Sequence, residues 1–277
     1  MAQAAHPSSR PLWWRTGLPL LVLSVLLAGM AWFARPDRNL RVIFLDTPGD
    51  AALIQTPRGS YVLIDGGRKP AGLAMHLGRR LPFWQRRLTA VVLTHNDRQR
   101  LPGQVAALAR YRADLVLAPP GMEQTALVQE WLRVIDSQRM PLHLAQAGDQ
   151  LHLDGALLTV LSIGDGQESG LVLQLDYGLL RVVFHSAGGT TSDQALIEHA
   201  GPITALAYPW QREVDTPLLA CWQPQMIIFT TAYEADRPAE LSMYERALYG
   251  AAVYHPQLHG TVELISDGQR AWVVTEK

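Results

Sequence analysis

The chain has 277 residues, 48% of them hydrophobic, enough to bury the core of one large α/β domain. Its formal charge of -1 excludes a global field that would gather nucleic acid or an anionic surface. Its single cysteine, Cys221, excludes an intrachain disulfide and any thiolate metal cluster. A polar tail, residues 1–16, is followed by an uncharged 18-residue run, Gly17 to Ala34, whose helical length nearly matches a hydrocarbon core of about 30 Å. Trp13, Trp14 and Trp32 are placed like an interfacial belt, and Arg10, Arg15, Arg35 and Arg38 bracket the run. The run is therefore expected to be a single-pass membrane anchor, with the folded part extracytoplasmic. A signal peptide ending after Ala31 is the competing interpretation.

From Leu40 the pattern changes to short β-rich runs broken by Gly and Pro: "LRVIFLD", "AALIQT" and "SYVLID". The helix "AGLAMHLGRRL", the strand "LTAVVLTH", the helix "GQVAALARY", the strand "ADLVLAPP" and the amphipathic helix "EQTALVQEWLRVIDSQ" come next. From His143 to Ser186 the text is again all strand, with a hairpin at "DYG". Helices "SDQALIEHA", "TPLLACW" and "AELSMYERALYG" then alternate with strands "ITALAYP" and "QMIIFTT", before closing strands around "GTVELISDGQRAWVV". Two sheet-plus-helix halves, each needing the other to bury its second sheet face, predict a four-layer αβ/βα sandwich over residues 40–277.

"LRVIFLDTPGDAALIQTPRGSYVLIDGG", "LTAVVLTH", "ESGLVLQLDYG" and "GTVELISDG", in that order, resemble the metallo-β-lactamase-fold domain at the end of the DNA-uptake channel protein ComEC. The resemblance implies a His-x-His-x-Asp-His motif after "VVLTH", holding two metal ions that activate water. In this chain His95 stands at the first position, but Asp97 replaces the second His, Gln99 the Asp and Arg100 the last His. The bridging Asp expected after "LLRVVF" falls on Ala187, with His185 two residues before it, and the His-His-Gly-Ser element falls on Pro209 to Arg212.

The vestigial metal candidates are thus His95, Asp97 and His185, and the candidate catalytic carboxylates are Asp97 and Asp65. Each has a plainer role available: a backbone-bonded strand-end histidine for His95, an Asx-turn or helix cap for Asp97, and a turn former for Asp65, Asp46 or Asp50. If Asp65 and Asp97 converge on the old cavity, Arg100 or Arg98 would replace the cation, because a guanidinium is always charged and has no lone pair for a metal.

Eight arginines and a single acid, Asp97, lie between Arg79 and Arg112. Arg79, Arg80, Arg86 and Arg87 are candidates for an anion-binding rim. These features predict a binding or scaffold domain without a cofactor, tied through the resemblance to DNA uptake and to a membrane-protein partner of the uptake channel. The alternative is a zinc- or manganese-dependent phosphodiesterase or nuclease with a rebuilt mononuclear site from His95, Asp97 and His185. A third option is nucleic-acid binding through the arginine-rich segment.

Overall fold

A computed structural model describes residues 19–25, 38–164, 170–186, 190–197, 201–230, 238–247 and 250–277. Residues 38–277 form one compact unit and the residues before them another. In the N-terminal unit, residues 19–25 form a short helix, α1, with exposed side chains, and Ser24 Oγ donates to the Leu20 carbonyl at 2.8 Å. The rest of the expected anchor lies outside the described residues. No helix among the described residues is long and apolar enough to cross a membrane.

The larger unit opens with an antiparallel trio, β1 (Leu40–Phe44), β2 (Ala51–Gln55) and β3 (Tyr61–Asp65), in which Val42 faces Ile54 and Leu53 faces Leu63. Then α2 (Pro70–Arg80), α3 (Leu101–Arg110) and α4 (Ala126–Ser137) alternate with β5 (Ala90–Val92), β7 (Val116–Ala118) and β8 (Leu142–Leu144), which add in parallel. Two short segments, β4 (Arg87–Leu88) and β6 (Arg112–Ala113), pair just ahead of β5 and β7. With β16 (Val262–Ser266) and β17 (Ala271–Thr275) the first sheet runs β17-β16-β1-β2-β3-β5-β7-β8.

The second sheet runs β15-β14-β13-β12-β11-β10-β9. In chain order it is built from β9 (Gln150–Leu153), β10 (Ala156–Gly164), β11 (Gly170–Tyr177), β12 (Leu180–His185), β13 (Ala205–Pro209), β14 (Met226–Thr230) and β15 (Ala252–Tyr254). Helices α5 (Thr190–Ile197), α6 (Pro217–Trp222) and α7 (Glu240–Glu245) belong to this half, and a single turn, α8 (Pro256–His259), precedes β16.

Period-two alternation decides which residues face where. Val42, Phe44, Ile54, Val62 and Ile64 pack between the sheets, while Ile43, Leu53 and Leu63 on the same strands pack under the helices. A strand buried on both faces reads as a nearly continuous apolar run, which is why "YVLID" shows no polar alternation. Phe44 meets Phe184 of β12 across the interlayer space, with ring centroids 5.8 Å apart. A third cluster, including Leu206, Phe229 and Trp222, lies under the helices of the second half. The order is helix, sheet, sheet, helix, as the sequence predicts.

One end of the first sheet is set up by a buried contact and by strand direction. Trp131 of α4 donates from Nε1 to Gln104 Oε1 at 3.2 Å, and Gln104 Nε2 donates to the Val92 carbonyl at 2.7 Å. A satisfied buried polar chain thus fixes α3 against β5. Strands β1, β3, β5, β7 and β8 all point the same way, so the loops after β1, β3 and β5 meet at one end.

Candidate functional site: an arginine among carboxylates

Those loops close on one another backbone to backbone. Gly103 N donates to the Gly67 carbonyl at 3.0 Å, and a Cβ on Gly103 would lie 1.7 Å from the Gly66 oxygen. Gly49, at φ +90°, would bring a Cβ within 1.9 Å of the Gln99 carbonyl. Glycine is the residue that permits both the approach and the left-handed backbone.

Asp65 ends β3 at φ +58°, an uncommon conformation for a non-glycine residue. The turn carries its carboxylate to Thr94, whose N and Oγ1 donate to it at 2.7 and 2.6 Å. The Thr94 carbonyl in turn accepts from Leu171 N of the second sheet at 2.9 Å, so this loop ties the two halves together.

Arg100, one residue before α3, is 6% exposed. Its Nη2 lies 2.5 Å from Asp50 Oδ2, its Nε is 3.5 Å from Asp65 Oδ2, and its Nη1 pairs with Asp97 Oδ2. Asp97 also accepts from Gln99 N at 2.8 Å, an Asx-turn, and its carbonyl takes Leu101 N, the task a capping side chain would otherwise perform. Burial pushes the Asp65 carboxyl up to about 7, against the pull of Arg100 and the two Thr94 hydrogen bonds, with the Asp50 charge adding to the rise.

Beside the cluster, Thr47, Asp50, Asp65, Phe184, Ser186 and Thr230 help line a cavity of about 50 Å³. That is room for a few waters, well below the roughly 300 Å³ at which small-molecule sites begin.

The second half holds a separate polar knot. His185, at the end of β12 and 1% exposed, has Nε2 2.9 Å from Asp193 Oδ1 and Nδ1 2.8 Å from Arg212 Nη1. Arginine only donates, so Nδ1 accepts and the ring proton sits on Nε2, directed at Asp193. Burial holds His185 below its ordinary range, Asp193 opposes this, and the Arg212 charge adds to it. Arg246 fastens the loop that carries Arg212: its Nη1 donates to the Trp210 carbonyl at 2.8 Å, its Nη2 to the Arg212 carbonyl, and its guanidinium lies 4.7 Å from the Trp210 ring centroid. Next to Trp210, His255 is pushed down to about 4 by burial and by neighbouring His259.

Of the residues named from sequence, Asp65, Asp97 and Arg100 come together, and Asp50 joins them at 2.5 Å from the guanidinium. Arg98 is exposed. His95 is half-buried in the loop after β5. Both ring nitrogens of His185 are engaged within its own knot, and Ala187 lies outside the described residues. Arg86 and Arg87 stand at the opposite end of the first sheet, before β5, while Arg79 is exposed in the last turn of α2 and Arg80 is bound to His76 and Glu276. A rim made of these four does not border the Arg100 loops. Arg212 closes the stretch on which the His-His-Gly-Ser element falls, but nothing in the sequence pattern points to Asp193 or Arg246, whose contacts span 8 and 36 residues without a periodic signal.

No family model matches the sequence, and no curated protein matches it. Solved structures do. The metallo-β-lactamase fold protein YhfI from Bacillus subtilis superposes with a TM-score of 0.59 at 13% identity, over 85% of this chain and 99% of that one. The chain has the metallo-β-lactamase fold. A diphosphatase of the PhnP family matches this fold with a TM-score of 0.56 at 13% identity, covering 82% of this chain and 98% of its own. Zn(2+)-bound PqqB from Methylobacterium extorquens gives 0.56 at 13%, over 75% and 85%. A metal pair is what the sequence resemblance implies for the loops of this fold, and the residues in these loops do not fit one. Arg100 brings a fixed positive charge to the point where three carboxylates converge, and it has no lone pair to offer. Among the described residues, no group of three or more His, Cys, Asp or Glu is arranged to hold an ion.

Proposed function

We propose that this domain works without a metal, as a binding or scaffold module held at a membrane by Gly17–Ala34, and that Arg100 takes the place of the cation within the carboxylate cluster. The observation that carries this is the buried Arg100 guanidinium between Asp50, Asp65 and Asp97. A guanidinium fitted to carboxylates offsets part of their charge, here through close charge-assisted contacts to Asp50 and Asp97 and at 3.5 Å from Asp65, whereas a dication entering the same space would meet like charge. The engagement of both His185 nitrogens by Asp193 and Arg212 supports the same view of the second half. The role in DNA uptake, beside a membrane channel, rests on the sequence resemblance to the ComEC domain.

The test is elemental analysis of purified residues 38–277 after equilibration with zinc or manganese, with turnover of bis(p-nitrophenyl) phosphate measured in parallel. Less than about a tenth of an equivalent of metal and no turnover are expected. About one tightly held ion per chain, lost in Asp97→Asn, would restore the hydrolase reading suggested by the diphosphatase likeness. Release of the full chain from membranes by alkaline carbonate would remove the anchor.

A further inference from the structure

At the end of the first sheet opposite Arg100, the chain displays a pair of aromatic side chains. Gln85 N donates to the Pro82 carbonyl at 2.8 Å, closing a turn with Phe83 and Trp84 at its corners. Phe83 is 73% and Trp84 51% exposed, and their rings meet edge to face with centroids 4.7 Å apart. The turn is braced, because Gln85 Nε2 donates to the Arg87 carbonyl and Arg112 N to the Arg86 carbonyl. Arginines surround it: Arg79 in the last turn of α2, Arg86 directly after the turn, and Arg110 and Arg112 on the neighbouring segment. All four are exposed, and none forms an ion pair among the described residues; Arg87 is paired with Asp114.

We propose that this aromatic turn and its arginines are a docking surface for an anionic lipid bilayer. Apolar rings at the tip with guanidinium groups behind them match the layering of a bilayer face, where the acyl boundary takes the rings and the headgroup phosphates take the cations. Single-stranded nucleic acid, the competing polyanion, binds through a row of open ring faces on which bases stack, and in this turn the edge of one ring covers a face of the other, so the pair does not present two parallel stacking platforms.

Chain direction supports the choice. β1 is parallel to β5, so Leu40, where the domain begins after the uncharged run and five further residues, lies at the same end of the sheet as the turn. Only three strand spacings, about 14 Å, separate β1 from β5. A domain docked through Phe83 and Trp84 presents the Arg100 loops away from the lipid.

The test uses residues 38–277, which contain all three buried clusters and form a compact unit, so it does not depend on the anchor. Sedimentation with phosphatidylcholine vesicles, with and without phosphatidylglycerol, should show binding only to the anionic set, weakened by salt. Phe83→Ala with Trp84→Ala should reduce it at least tenfold, and Arg86→Gln and Arg112→Gln by about fivefold each. Brominated lipid should quench indole emission in the wild type, and this component should vanish in Trp84→Phe. Unchanged melting temperatures are expected, because these side chains are exposed. Equal binding to neutral vesicles, binding that survives loss of both rings, or capture of single-stranded DNA in place of vesicles through the same arginines would each overturn the proposal.

Discussion

Arg100 is the residue on which the candidate site turns. Removing one partner from a buried ionic cluster leaves the others without compensation, a loss of about 3–5 kcal/mol. Arg100→Ala should therefore cost several kcal/mol in urea denaturation, and Arg100→Lys most of that, because one ammonium cannot reach three carboxylates in different directions. Arg98→Ala, on an exposed neighbour, should fall within about 0.5 kcal/mol of wild type. Asp65 supplies a second measurement. Its folded pKa, about 7, lies above the ordinary carboxylate value, so between roughly pH 4 and 7 the native state holds more protons and stability falls as pH rises. His255, at about 4, lies below the ordinary imidazole value and acts in the opposite direction, because its stability contribution is lost as pH falls from about 6.5 to 4. The two partly cancel in the wild type. Asp65→Asn removes the first and should make the slope of unfolding free energy against pH more positive by up to about one proton in that window.

At the scale of elements, the contact between the start of α3 and the β3 loop is the most exacting. Gly103→Ala would drive a methyl into the Gly66 carbonyl, so the helix start must shift and take Arg100 with it; a loss of about 3 kcal/mol or more is expected by thermal melting. Gly78→Ala in α2 is the control: nothing lies within 4 Å of that position, and helix propensity alone should stabilise the protein by about 0.5–1 kcal/mol. The same contrast shows what could be read in the chain. Strands β1 to β3 were legible because residues buried on both faces leave nearly continuous apolar runs, broken in their interior only by Arg41 of β1. Helix α4 begins at Ala126, three residues later than its apolar pattern suggests, because Thr125 accepts from Val128 N and stops the helix there. β15 and α8 went unseen: three and four residues carry no periodicity, and β15 takes its register from β14. In the candidate site, Asp65, Asp97 and Arg100 stand at motif positions and could be considered together. In the Arg212–His185–Asp193 knot, His185 and Arg212 also lie at or beside motif positions, but Asp193 carries no motif signal and the pairing of the three appears only on folding.

For the whole molecule, the two sheets are held by an interlayer core to which both contribute, and by the Thr94–Leu171 hydrogen bond at the Arg100 end. Melting of residues 38–277 should therefore be a single transition, and chelation should leave it in place. A shift of the melting temperature by more than about 2 °C on adding EDTA would mean that an ion, and not Arg100, neutralises the carboxylates. The guanidinium differs from an acquired ion in one lasting respect. It is made with the polypeptide, one per molecule, so it can be neither scavenged by a competitor nor exhausted by starvation, and a chain released from the ribosome already carries its full complement.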